Sequence, residues 1–342
     1  MTSIQHPSSW IDSKLTRQIR DDAFESEKQQ DLTTRQLNII YDNNWLRMFV
    51  PVRLGGLGLS LPDVLRIEEG LSWADGSVAW VVTLCSGAGW FVGFIDPRVV
   101  STIVGDSRFC IAGSGASTGT AELNGRGYTI NGSWKYASGS LHATAFTVNC
   151  MITKNGEQLY EADGSRMIRP FILKPGEVTV HRTWNPMGMV ATGSHSFSAG
   201  SLQISDNRCF RIDAAHTVLE DSVYKYPFLQ LAEATLAANI SGLATRFIDL
   251  CEATDAQQKL DSCRLALYEA VDNSWSALNK NDIPGSELSA ISKASRDIVR
   301  ISRDTVNSLY SLQGLTAADK STEINRVWRN FHTAAQHSLF KK

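Results

Sequence analysis

Two side chains in this sequence could move a proton in a setting that would use it, Glu233 and His337. Glu233 stands among Leu229, Leu231, Ala234, Leu236 and Ala237, where loss of hydration would raise a carboxyl pKa toward a range useful for proton abstraction. The plain alternative is an exposed helix glutamate. His337 closes a terminal segment in which Ile324, Val327, Trp328, Phe331, Ala335 and Leu339 form an apolar stripe at helical spacing. Arg326, Asn330, Thr333 and His337 cluster on the opposite face, which is either solvated or turned toward a ligand or a second subunit. An imidazole, with a reference pKa of about 6.5, can hold or release a proton near neutrality. The small residues Ala191, Thr192, Gly193 and Ser194 let backbone approach a ligand closely, or form a tight turn between strands.

Other chemistries find no support. The six cysteines contain no C-x-x-C pair, and the seven histidines no H-E-x-x-H. His332 and His337 are five residues apart, which does not put them on one helix face, so no metal site is expected. The balance of 33 Lys+Arg against 35 Asp+Glu gives a net charge of -2 and no global field for nucleic acid or an anionic membrane. No apolar run is expected to approach the roughly 18 to 20 residues that span a bilayer. The start MTSIQHPSSW lacks the apolar core of a secretory signal, so a cytoplasmic location is expected.

The elements that must position these residues fall into three regions. From about Ser9 to Asp106 the pattern is helical, with breaks at Pro51, Gly55-Gly56, Pro62 and Pro97, and Ser60 before Leu61-Pro62-Asp63 predicts a helix start. From Arg108 to about Asp213 short β-type runs alternate with turn signals: Asn124-Gly125, Asn131-Gly132 and Lys174-Pro175-Gly176. Arg126–Ile130, Phe171–Leu173 and Val178–Val180 read as strands. From Ala214 onward the pattern is helical again, over Leu229–Phe247 and Glu287–Leu312, with a break at Asp282-Ile283-Pro284-Gly285. Four long helices with short connections predict an antiparallel bundle. The expected fold is therefore α+β: an N-terminal helical domain (1–107), a middle β domain (108–213) and a C-terminal four-helix bundle (214–342).

That order of domains and four motifs carry a resemblance. Pro51-Val52-Arg53-Leu54-Gly55-Gly56 followed by Ile67-Glu68-Glu69-Gly70-Leu71 resembles the P-x-x-x-GG segment of the acyl-CoA dehydrogenase superfamily and its next helix. The run from Gly132 to Ala143, GSWKYASGSLHA, is similar to the G-x-W-x-F-A-S-G-x-x-H-A segment of one branch, the reduced-flavin-dependent aromatic monooxygenases of two-component hydroxylases. The run from Trp184 to Ser194, WNPMGMVATGS, resembles the W-x-x-x-G-M-R-x-T-G-S pattern of that branch, and the segment from Ile324 to His337 its terminal R-x-W-R-D helix with a trailing histidine.

The resemblance implies a flavin, FAD or FMN, held in its reduced form. Ser138 matches the hydroxyl that faces flavin N5, Tyr136 an aromatic at the ring edge, and Ala112, Gly113 and Ser114 the segment whose backbone bonds the pyrimidine side. Thr192, Gly193 and Ser194 match a cofactor-contacting loop, and Gln313-Gly314 a segment meeting the adenine or phosphates of a flavin bound across a subunit boundary. With Arg326 on the polar face of the last helix, these are the expected cofactor-binding residues. His142, a third catalytic candidate, reads as a histidine at the flavin edge that acts through its neighbours or as a structural one, and Ser138 as a flavin partner or a turn serine. A histidine such as His337 suits a phenolic proton or a peroxide; a carboxylate such as Glu233 suits the α-proton of a thioester.

Three functions follow: a monooxygenase acting on a small aromatic substrate with a separate flavin reductase, an acyl-CoA dehydrogenase using Glu233, or a diverged paralogue with weak flavin binding. Val190 in place of arginine and Asn330 in place of aspartate speak for the last. A homotetramer, or at least a dimer, is implied by a cofactor site that a neighbour completes.

Overall fold

Local signals fix the N-terminal helices. The structure, a computed structural model, describes residues 4–280 and 283–341. Its first six helices are α1 (Ser13–Asp21), α2 (Ala23–Gln29), α3 (Thr34–Asp42), α4 (Leu61–Ala74), α5 (Gly76–Gly89) and α6 (Pro97–Val104). Ser60 caps α4 as expected, its hydroxyl accepting from the Asp63 N–H at 3.3 Å with Pro62 in the first turn. Asp75 caps α5 by accepting from the Val78 N–H at 3.0 Å, so α4 and α5 turn sharply about one residue.

Helix α5 departs from one expectation. By composition, the 18 residues Gly76–Gly93 are apolar enough to cross a membrane, and 83% of that window is buried inside the protein. It is the shared core helix, packed on α4, on the C-terminal helices and on the first strand.

One sheet forms the middle region from β1 (Ile111–Asn124), β2 (Gly127–Ala137), β3 (Ala145–Lys154), β4 (Glu157–Gln158), β5 (Ile168–Leu173), β6 (Thr179–His181) and β7 (His195–Ser205). Its order is β4-β3-β1-β2-β7-β6, with β5 on β3. β1 and β3 run parallel; the other pairs are antiparallel. Asn124-Gly125 makes the expected hairpin turn between β1 and β2. Asn131-Gly132 does not turn: it lies inside β2 at a register shift. Gly132 is needed there because an added Cβ would sit 2.7 Å from the Gly119 Cα and from the Trp134 ring. A core of Trp134, Phe146, Phe171 and Phe197 fills one side of the sheet.

The C-terminal region holds α7 (Phe228–Leu250), α8 (Thr254–Leu278), α9 (Gly285–Tyr310), α10 (Gly314–Ala318) and α11 (Glu323–Ala334). Three long helices and the shorter α11 pack together, and α4 lies along α7. Pro284 and Gly285 open α9 as the break signal suggests, while Asp282 lies outside the described residues. The terminal helix is shorter than its stripe predicts. It ends at Ala334, and His337 caps a separate turn, Ser338–Phe340, so His337 and Leu339 are not on the helix.

Candidate active site

At the end of β2 the chain turns back through buried hydroxyls. Tyr136 sits at φ 67 with its ring exposed, 69% of the residue being accessible although it is a large aromatic. Two residues on, Ser138 is buried, and its Oγ lies 2.8 Å from Ser194 Oγ. Ser194 Oγ lies 2.7 Å from Thr192 Oγ1, which donates to the Met189 carbonyl at 2.9 Å. Ser140 Oγ donates to the Gly193 carbonyl at 2.7 Å, and the Gly139 N–H to the Thr192 carbonyl at 2.9 Å. The β2 end and the Met189–Ser194 loop are thus tied at several points.

The loop in turn is fastened to α11. Gly188 abuts that helix so closely that a Cβ would lie 2.1 Å from the Arg329 carbonyl oxygen. The Met189 N–H, on a residue at φ 57, donates to Asn330 Oδ1 at 2.6 Å. Arg329 bonds the Met187 carbonyl at 2.7 Å and pairs with Glu27 of α2. From the opposite side, Cys85 of α5 bonds the Ser138 carbonyl at 3.4 Å.

The start of β1 completes the frame. β1 pairs with β2 only over Thr120–Asn124, whereas Ile111–Ser114 pairs with β3. Ala112, Gly113 and Ser114 therefore have no strand partner on the β2 side. Gly113 lies tight against β3, where a Cβ would meet Thr147 Oγ1 at 1.9 Å. An exposed aromatic face, a buried hydroxyl and unpaired strand backbone at one sheet end can take a flat heterocycle with hydrogen-bonding edges. Two open surface hollows lie elsewhere, one between α1 and α3 at Leu15 and Asn38, the other between Pro51 and Asn279.

Comparison with known proteins gives this geometry a setting. Residues 227–342 match the family described as "Acyl-CoA dehydrogenase, C-terminal domain". The crystal structure of the HsaA monooxygenase from M. tuberculosis superposes with a TM-score of 0.89 at 23% identity, over 98% of this chain and 93% of that one. The fold is that of the acyl-CoA dehydrogenases. Relatives within it are monooxygenases. The flavin-dependent monooxygenase oxygenase subunit HsaA of Mycobacterium tuberculosis is 25% identical over 99% of this chain and 94% of its own length. Indole-3-acetate monooxygenase of Pseudomonas putida is 23% identical over 92% and 85%. XiaF from Streptomyces sp., solved in complex with FADH2 and glycerol, has a TM-score of 0.83 at 20% identity over 98% and 91%.

Within this acyl-CoA dehydrogenase fold the expected residues separate. Ser138, Thr192, Gly193 and Ser194 come together, with Tyr136 beside them and Ala112–Ser114 on the neighbouring strand. His337 packs on α5: its ring lies 6.0 Å from that of Trp80 on this helix, and burial, reinforced by Lys341, holds its pKa below the usual histidine value. Arg326 stands half-buried on α11, in the field of the α5 cap Asp75. Asn330 is not on a solvated face; it is 3% exposed and anchors Met189.

Two candidates have protein partners, and one group stands apart. His142 Nε2 is bonded to Asp31 Oδ1 at 2.7 Å, tying the turn after β2 to the loop before α3. Glu233 is neither exposed nor set against an empty apolar surface. It is 5% exposed between α7 and α9, accepting from the Ser292 hydroxyl and 3.6 Å from Arg296, so it is already partnered on both oxygens. Gln313 and Gly314 form the corner between α9 and α10, flanked by the exposed Leu312 and Leu315.

His195 and Trp184 were missed. His195 Nδ1 accepts from the Trp184 N–H at 3.1 Å, which leaves its buried Nε2 without a partner. Trp184 bonds the Met189 carbonyl through Nε1 at 2.9 Å and lies edge-on to Tyr136 at 6.1 Å. The signal available was the run TWNPMG, where a tryptophan in a polar, proline-containing loop needs a partner for its ring N–H.

Proposed function

We propose that the chain is the oxygenase component of a flavin-dependent monooxygenase, taking reduced flavin from a separate reductase and hydroxylating a small aromatic substrate. One observation carries this reading: the exposed Tyr136 ring and the buried Ser138 hydroxyl at the end of β2 lie at the same sheet end as Ala112–Ser114, whose backbone has no strand partner on the β2 side, which fits the ring edge, N5 and the pyrimidine side of a flavin. The names of the relatives favour the same chemistry. A bound reduced flavin supplies the two electrons with which dioxygen is split between the substrate hydroxyl and water. Tyr136 would stand at the ring edge, Ser138 would meet N5, and the free edge of β1 would bond the pyrimidine side and orient the ring. His337, half-buried and with its pKa held below the usual histidine value by desolvation and by Lys341, holds a proton on one ring nitrogen and can take or give one at the substrate oxygen. The burial and pairing of Glu233 leave no free carboxylate there for a thioester α-proton, which disfavours dehydrogenation.

Anaerobic titration with reduced FAD and FMN tests the reading, followed by product analysis on adding oxygen and a phenol. Binding of reduced flavin with hydroxylated product is the expected outcome, and a protein that binds neither redox form refutes it. The reading includes assembly as a homotetramer, or at least a dimer, which would cover Leu312 and Leu315 and bring Gln313-Gly314 to a neighbour's cofactor. Light scattering should give a mass above one chain; a stable monomer at micromolar concentration removes that part.

A further inference from the structure

Three hydroxyls in series fix the direction in which the Ser138 proton points. Thr192 Oγ1 has one hydrogen and donates it to the Met189 carbonyl at 2.9 Å, since a carbonyl can only accept. Its 2.7 Å contact with Ser194 must then be donated by Ser194. With that hydrogen used, the 2.8 Å contact between Ser194 and Ser138 must be donated by Ser138. Ser138 Oγ is left with lone pairs and no hydrogen to give.

The anchor of the series is fixed. The Met189 N–H donates to Asn330 Oδ1 at 2.6 Å, and its carbonyl also accepts from Trp184 Nε1 at 2.9 Å. Reversing the chain would turn the Thr192 hydrogen away from this carbonyl and set two oxygen lone pairs against each other at 2.9 Å.

We infer that Thr192 and Ser194 are positioning residues that make Ser138 an obligate hydrogen-bond acceptor, so that the site selects reduced flavin over oxidised flavin at N5. Reduced flavin carries a hydrogen on N5 and can donate to Ser138. Oxidised flavin presents a bare N5 lone pair to another lone pair. The inference rests on the reading above that N5 meets Ser138, and it assigns Thr192 and Ser194 a role through Ser138 rather than by contact with the ring. A hydrogen bond made in one redox state and denied in the other is worth about tenfold in the ratio of the two affinities.

The test is that ratio, measured by anaerobic titration with reduced flavin and aerobic titration with oxidised flavin. Wild type should favour the reduced form. Ser194→Ala and Thr192→Val free the Ser138 hydrogen to turn toward N5, so each should tighten oxidised flavin and lower the preference by about tenfold. Thr192→Ser keeps the hydroxyl and should restore the wild-type ratio. Ser140→Ala removes a bond to the same loop without entering the series, and should leave the ratio unchanged. Should Ser194→Ala fail to fold, Thr192→Val decides. An unchanged ratio in the chain-breaking variants, or an equal loss of both redox forms, overturns the inference while leaving the flavin reading in place. No flavin binding by wild type overturns both.

Discussion

His337 and Glu233 are the two candidate proton carriers, and their surroundings now separate them. Glu233 is committed to Ser292 and Arg296, whereas His337 Nδ1 accepts only a long 3.4 Å bond from the Leu339 N–H and its ring edge meets Trp80. With Nδ1 as acceptor, the neutral ring carries its hydrogen on Nε2 and is a donor there. His337→Asn should lower product formation by about two to four orders of magnitude, the usual scale for a general acid or base. Binding of reduced flavin should be nearly unchanged. Because burial lowers the His337 pKa, the wild-type rate should fall only on the acid side of the usual histidine value, and the variant should lose that limb. Glu233→Gln should keep turnover within a few-fold. An inactive Glu233→Gln beside a fully active His337→Asn would sink the assignment. At this scale the motif resemblance found the hydroxyls of Ser138, Thr192 and Ser194. It could not see the donor order that joins them, because that depends on the Met189 carbonyl, which any residue type would supply.

Among the elements, the helices and strands were largely legible and their ends were not. The stretch Leu229–Phe247 became α7, and Glu287–Leu312 became α9 within a few residues, because long apolar periodicity survives in tertiary context. The last helix was overextended. Ala335 and Leu339 stay in step with the apolar stripe, yet the helix stops at Ala334 and His337 starts a new turn by capping Leu339. Periodicity records which side chains are buried, not where backbone hydrogen bonds stop. The misread Asn131-Gly132 has a similar origin: a glycine that marks a turn in one place marks close packing in another, here against Gly119 and Trp134. Glu233 was misjudged because its partner Ser292 lies 59 residues away on α9, a pairing that no local pattern encodes.

Across the whole molecule, α5 joins the three regions, touching Ser138 through Cys85 and the α4 acid Glu68 through Ser86. The adjacent acids Glu68 and Glu69 are both fully buried but fare differently. Glu69 is bonded to Arg264 at 2.7 and 2.8 Å, to Tyr268 at 2.9 Å and to Ser241 at 2.6 Å. Glu68 has a 3.2 Å bond from Ser86 on one oxygen and no partner on the other, and burial pushes its pKa up from 4.5 to about 8. Below the unfolded pKa both states are protonated and Glu68 costs nothing. As pH rises above 4.5 the unfolded chain ionises Glu68 while the folded protein cannot, so stability falls, and the loss levels off once pH passes the folded value of about 8. Glu68→Gln removes the titration while keeping the shape. It should leave stability nearly unchanged at pH 4.5 and raise it on the order of 3 kcal/mol at pH 7. The gain should be larger still at pH 8.5. Denaturant melts of both proteins at the three pH values measure this, and the difference between them cancels the other titrating groups. A difference that stays constant with pH would mean that Glu68 is ionised in the folded protein and paired by a group that the present arrangement does not provide.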